Sequence, residues 1–319
     1  MGSEAGLFGT VDPGAAMTGG NRLSIEVAGA LVLLCACCWA QPHQTAEEKL
    51  AAGERVVEGY SSEDVLPTSA AEFNRGVALI EQALRENVKD RRRALLALVE
   101  AGRTGPGGAN PTPKRLGEVF RELLRSYPRD PELLMKYAAH LQNTGPKAAL
   151  PAYLHVLDVQ PDNAEALFIV AGYHQDAGEV ATAVEELIRA VRLKSADADM
   201  IQVFVSGFVT DLNALGNSQF VPRVSAAVFE ALAAQARAGN TKAAFVSAAL
   251  RVEFGEVRAG VEEFLGLLRQ DSVDGNMIRD GLESITRYLS ADEHENAQYI
   301  EQVSAAAAEA LKARAKKER

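Results

Sequence analysis

Cysteine is confined to one place in this chain: Cys35, Cys37 and Cys38 all fall within GALVLLCACCWAQPHQ, and none follows in the remaining sequence. The body can therefore hold neither an internal disulfide nor a thiolate metal site. Aromatic residues are scarce at 6%, and runs alternating Val, Ile, Thr and Tyr, which build half-buried strands, are nearly missing. Ala, Leu, Val and Glu are abundant instead, so an all-α fold is expected. Basic residues are outnumbered, with Lys and Arg totalling 33 against 43 Asp and Glu and a net charge of -10. No positive field exists to draw phosphates, and nucleic acid is not an expected partner. Among 319 residues, 47% are hydrophobic, enough to bury a core. Catalytic signatures are thin as well. GPGGAN at 105–110 is glycine-rich, but no strand precedes it and no Gly-Lys-Ser/Thr follows, so it reads as a loop and no cofactor is implied.

The apolar run Val27–Ala40 is 14 residues long, short of the roughly 20 that a spanning helix requires but typical of a signal-peptide core. It follows Arg22 and precedes the polar QPHQTAEEK. A start at Met17 gives a leader of ordinary length, and Glu26 beside the core is an atypical feature. Two processing sites compete. Leu34-Cys35-Ala36-Cys37 resembles the lipobox of bacterial lipoproteins, with Cys37 as the lipidated residue. The other cut follows Ala40, which has the small side chain ordinary secretory cleavage needs. Either way the expected address is a bacterial cell envelope, as a periplasmic or a membrane-anchored protein.

The strongest internal signal is a repeat. GEVATAVEE begins at Gly178 and GEVRAGVEE at Gly255, 77 residues on, and HQDAGEVATAVEELIRAV overlies RVEFGEVRAGVEEFLGLL without a gap. Apolar residues at helical spacing flank each Gly, so the unit is two antiparallel helices joined by a tight turn. Leu167, Val170, Ala171, Gly178, Ala183, Leu187, Ala190 and Leu193 follow the pattern of the tetratricopeptide repeat, which the segment resembles. Small residues at Ala171 and Ala183 suit a helix crossing, where larger side chains would push the helices apart. The preceding unit places Leu134, Tyr137, Ala138 and Leu141 opposite Ala149, Tyr153 and Val156, one residue short at its NTGP turn. Pro128 and Pro161 fall where helices should end.

The resemblance implies a right-handed α-solenoid of helix-turn-helix repeats. Residues 1–36 read as the signal peptide, 37–65 as a linker with a short helix, and 66–129 as degenerate helical repeats. Residues 130–195 hold two clear repeats, 196–274 degenerate ones, with GNSQFVPR widening a loop, and 275–319 the C-terminal capping helices. Ser69 with Glu72, and Ser290 with Glu293, read as capping boxes, and RRRALLALVEAGR as the partner of the helix after Ser69. Terminal helices with a charged outer face would end the stacking.

In tetratricopeptide proteins the first helix of each pair lines a concave groove. Carried across, those positions are Glu132, Met135, Ala139, Gln142 and Asn143, then Glu165, Phe168, Gly172, Gln175 and Asp176, with Phe245 in the later unit. Polar groups around a few apolar anchors suit a peptide or helix as ligand; Met135 and Phe168 fit packing between repeats equally well. No Lys or Arg occupies these positions, so capture of a terminal carboxylate, as in the chaperone-binding members, is not implied. His140 and His174 lack the second ligand a metal site needs, and no metal is expected. Glu283-Ser284 resembles the catalytic Glu-Ser pair of lytic transglycosylases, although the downstream Gly-Ala-x-Gly-Leu-Met-Gln run is missing. The expectation is a non-catalytic protein-protein scaffold, touching a membrane only through an N-terminal lipid. A peptidoglycan-cleaving enzyme and a structural subunit of an envelope assembly are the alternatives.

Overall fold

The computed structural model describes residues 44–61, 69–106, 111–270, 272–290 and 293–317. The expected signal peptide, with Met17, and the Cys37 lipidation site lie outside them. All regular structure among the described residues is helical. In chain order the first helices are α1 (Ala46–Ser61), α2 (Ala70–Arg85), α3 (Arg91–Thr104) and α4 (Pro113–Ser126). Next come α5 (Pro131–Thr144), α6 (Pro146–Val159), α7 (Ala164–Asp176), α8 (Val180–Val191) and α9 (Ala198–Ala214). A 3-10 turn at Ser218–Phe220 leads to α10 (Val221–Arg237), α11 (Thr241–Glu253), α12 (Val257–Leu268), α13 (Gly275–Leu289) and α14 (Glu293–Lys317). No described helix is long and apolar enough to cross a membrane. Two compact units emerge, one ending at Ala94 and one beginning at Leu95, with the boundary inside α3.

In the first unit, Ser69 adopts extended backbone and closes the expected capping box: its side chain accepts from the Glu72 amide while the Glu72 side chain accepts from the Ser69 amide. The close partner of α2 is α1, the helix expected only within a linker. The reason is a backbone crossing. A Cβ on Gly53 would lie 2.6 Å from the Gly76 carbonyl oxygen, and one on Gly76 would lie 2.8 Å from Val56. Glycine at both places lets Phe73, Val77 and Ile80 close over Leu50 and Val57.

The second unit is a stack of helix pairs: α5 with α6, α7 with α8, α9 with α10, α11 with α12, and α13 with α14. First helices pack on the next first helices, as α9 on α11 and α11 on α13; second helices do the same, as α8 on α10 and α12 on α14. Gly145 alone separates α5 from α6, which is how the pair absorbs its missing residue. The GNSQFVPR insertion is not all loop, because α10 already begins at Val221 with Pro222 in its first turn. Three apolar clusters run along the stack, centred on Tyr153, on Leu187 and Val205, and on Phe264 and Ile285.

The repeated Gly-Glu-Val forms the same turn twice. Gly178 (φ 80) and Gly255 (φ 87) occupy the left-handed region that glycine tolerates. Glu179 N–H then donates to the His174 carbonyl and Glu256 N–H to the Arg251 carbonyl, both at 2.8 Å. Ala171 and Ala183 are fully buried, and so is Ala248; Gly260 meets the Ala248 carbonyl directly, since a Cβ there would lie 2.5 Å from it. At the C-terminus, Ser290 closes α13 in helical backbone (φ -74, ψ -13), so the capping box expected of it is not formed. Leu289 is fully buried, which keeps α13 wound through the position where a new helix was expected to start. Arg314 ties α14 down by donating to the carbonyls of Val273 at 2.8 Å, Leu268 at 3.3 Å and Gln270 at 2.5 Å.

Candidate binding groove

The expected groove residues separate into exposed and buried sets. On α5, Glu132 is exposed and pairs with Lys136 at 2.9 Å, while Met135 leans half-buried on the Tyr153 cluster. Gln142 accepts from the Tyr153 hydroxyl at 3.0 Å, and burial pushes that phenol up to about 12. Ala139 and Asn143, with Lys136 and His140, border an apolar cavity of about 270 Å³ over Leu116 and Phe120. Burial against Phe120, ring centroids 5.3 Å apart, holds the His140 imidazole below its usual value. On α7, Glu165 and Asp176 are exposed and Gly172 half-buried, with open space around its Cα.

Three of the expected contact residues are almost fully buried by their neighbours. Phe168, 2% exposed, stacks flat on Phe204 at 5.0 Å. Gln175 is 4% exposed and donates its amide to the Phe208 carbonyl at 3.0 Å, so it joins α7 to α9 and is closed to a ligand. Phe245, 4% exposed, packs edge-on against Phe264. Phe168 and Gln175 share one physical cause: each points along the stack toward the next pair, where a neighbouring helix covers it. Its distance from the turn is the same as that of an open position, and helical spacing does not distinguish the two.

A larger opening lies further along. A cavity of about 540 Å³ is lined by α9, α11 and α13, the first helices of three successive pairs, a volume within the range of ligand clefts. Phe245 and Val246 form its floor, with Met277 and Val203 on the walls; Val203 is 70% exposed. Polar side chains cross it in two places. Gln202 donates its amide to the Ser284 hydroxyl at 2.6 Å, and the Tyr288 hydroxyl lies 3.5 Å from Ser206 Oγ. Both links join α9 to α13 over α11. Lys242 and Asp199 pair at 2.7 Å at one end, where Asp280 also faces the cavity.

Sequence reasoning missed Gln202, Ser206 and Tyr288, and read Ser284 only as part of the Glu283-Ser284 pair. For two of them the signal was available: Gln202 and Ser206 stand as far from the Asp197 cap of α9 as Phe168 and Gly172 do from the Asn163 cap of α7, but the degenerate pattern of the later pairs hid their phase. Glu283, the candidate acid, does reach this cavity. Its side chain is 76% exposed and pairs with Arg287 at 3.2 Å, far from the apolar enclosure a general acid uses. His174 Nδ1 lies 3.2 Å from Glu186 and 3.9 Å from Glu179, within its own helix pair. No group of three or more His, Cys, Asp or Glu among the described residues is placed to hold a metal. No protein-family model matches this sequence, and no curated protein matches it.

Proposed function

We propose that this chain is a tetratricopeptide-like, right-handed α-solenoid that acts as a non-catalytic scaffold, holding a segment of another protein in the bacterial cell envelope. One observation carries the reading: the first helices of three successive pairs converge on a single open cavity with an apolar floor and polar side chains on its walls. An extended peptide or one face of a helix is the shape such a trough accepts. The address rests on the Val27–Ala40 run and the Cys37 lipobox. Mass spectrometry of the protein from native membranes tests it, with a lipidated chain starting at Cys37 or a soluble one at Gln41 as the supporting results and an uncleaved chain as the contrary one.

The groove is tested by a photoreactive side chain in place of Val203, with Leu215, 62% exposed and outside the cavity, as the control. Adducts at Val203 that disappear with Met277→Glu support the reading; equal adducts at both positions refute it. The enzyme reading has one observation in its favour, the Glu283-Ser284 pair on the cavity wall. Peptidoglycan turnover that vanishes in Glu283→Gln would replace the scaffold reading.

A further inference from the structure

Behind the cavity wall, at the last residue of α11, Glu253 turns its carboxyl inward. Oε1 accepts from Ser206 Oγ on α9, and the Tyr288 hydroxyl on α13 reaches the same cluster. Oε2 is buried and has no hydrogen-bond partner. One side chain from each of three successive first helices therefore meets at the C-terminal end of the groove, and the central one carries an unsatisfied oxygen.

The charged groups around α11 are engaged elsewhere. Arg251, on α11 itself, binds Glu256 and Glu263 at the start and middle of the α12 region. On α13, Arg287 is held by Glu283; on α9, Asp199 holds Lys242 at the opposite end of the groove. On α10, Glu230 faces Arg192, and Phe229 packs on Phe254. Burial, Ser206 and Tyr288 are what act on the Glu253 carboxyl, and burial, the largest of them, pushes it above its ordinary value near 4.5.

We propose that Glu253 is a proton-controlled pin for the groove: neutral, it locks the middle of α9 to the C-terminal ends of α11 and α13, and ionised, it forces them apart to admit water. The chemistry of the orphaned oxygen requires this. A neutral carboxyl needs no second donor at Oε2, whereas a buried carboxylate oxygen without one is costly and recruits solvent. The sign follows from the raised folded value. The stabilising contribution is complete below about 4.5, the unfolded value, and is lost as pH rises through the folded one. The pin thus regulates the groove proposed above and rests on that reading for its purpose, but its test needs no ligand.

Hydrogen exchange on the full chain measures it, at about pH 5 and about pH 8 with correction for intrinsic rates. The turn of α9 around Ser206 and the last turns of α11 and α13 are expected to exchange faster at the higher pH. The ratio is about tenfold for each pH unit by which the folded value of the carboxyl exceeds the lower pH. In α2, the internal reference, the corrected rate should not change. Glu253→Gln, neutral and of the same shape, should remove the difference and protect these turns at the higher pH at least as well as the parent does at the lower. Ser206→Ala should reduce protection at the lower pH, where the pin is made. Exchange independent of pH in the parent would overturn the proposal, and so would a Glu253→Gln protein less protected than the parent at about pH 8. Failure of the Val203 photocrosslinking with these exchange results intact would remove the ligand and leave the pin.

Discussion

The two Gly-Glu-Val turns share a backbone and the acidic pair beside it, and differ in how the side chains around them are used. Glu179 (φ -84, ψ 51) and Glu256 (φ -83, ψ 47) start α8 and α12 alike, and neither makes a side-chain cap. Around the first turn His174 faces Glu186 and Glu179; around the second Arg251 faces Glu263 and Glu256 in the same places. The crossing residue is Ala183 in one and Gly260 in the other. Gln175, buried and hydrogen-bonded to the next pair, is matched by buried Val252. Phe168 lies on Phe204, and an equal step along the chain brings Phe245 onto Gly281, where a Cβ would come within 2.4 Å of the ring. The turn is held by a left-handed glycine and apolar spacing, so the remaining positions are free to differ. They use the freedom differently: the first copy packs rings and an amide between pairs, and the second brings backbones together.

Replacing the rings should break the comparison most. Phe168→Ala and Phe245→Ala are each expected to cost about 3 to 5 kcal/mol in denaturant unfolding, as for other buried Phe deletions. A loss under about 1 kcal/mol at Phe168 would return that ring to an exposed groove. The crossings come next. Gly260→Ala should destabilise by about 1 to 3 kcal/mol, because the new methyl meets the Ala248 carbonyl and only backbone can move. Ala183→Gly should cost only about 1 kcal/mol, largely the helix propensity of glycine. Equal effects would mean that the two crossings are equally close.

The smallest effect sharpens the comparison electrostatically. Burial pushes the Glu186 carboxyl above its ordinary value near 4.5, so its contribution is full below that value and is lost as pH rises through the folded one. His174→Arg writes the second copy's permanent cation into the first. It should raise stability by about 1 kcal/mol or less while the Glu186 carboxyl is ionised, and by progressively less as falling pH protonates that carboxyl. Thermal melts across that titration check it, and a gain independent of pH would show that His174 and Glu186 do not communicate.

Much of this architecture is legible in the residues. The helical class follows from composition, the Ser69–Glu72 box from its spacing, and both turns from Gly178 and Gly255. The pairing of α1 with α2 is not, because glycines that permit close approach read locally as helix breakers, and only the partner helix shows what Gly53 and Gly76 admit. The groove was legible as a concept and misplaced in detail. Phe168 and Gln175 sit on the correct helix, but which face a neighbouring pair covers depends on the stacking angle, and no residue within the repeat encodes that alone. Glu253 was invisible for the same reason, since its partners Ser206 and Tyr288 lie on two other helix pairs.

The central claim is that α9 and α13 close over α11 to form one cavity, and a linked pair of cysteines tests it most directly. With no cysteine after Cys38, a chain carrying Gln202→Cys and Ser284→Cys, with Cys35, Cys37 and Cys38 changed to Ser, presents two thiols alone. The Gln202 amide and Ser284 hydroxyl are 2.6 Å apart, so a short bis-maleimide should join the two positions within one chain at high yield. It should also suppress the Val203 adducts by filling the groove. Full labelling by a simple maleimide with no intramolecular link would contradict the convergence of these helices, and with it the site.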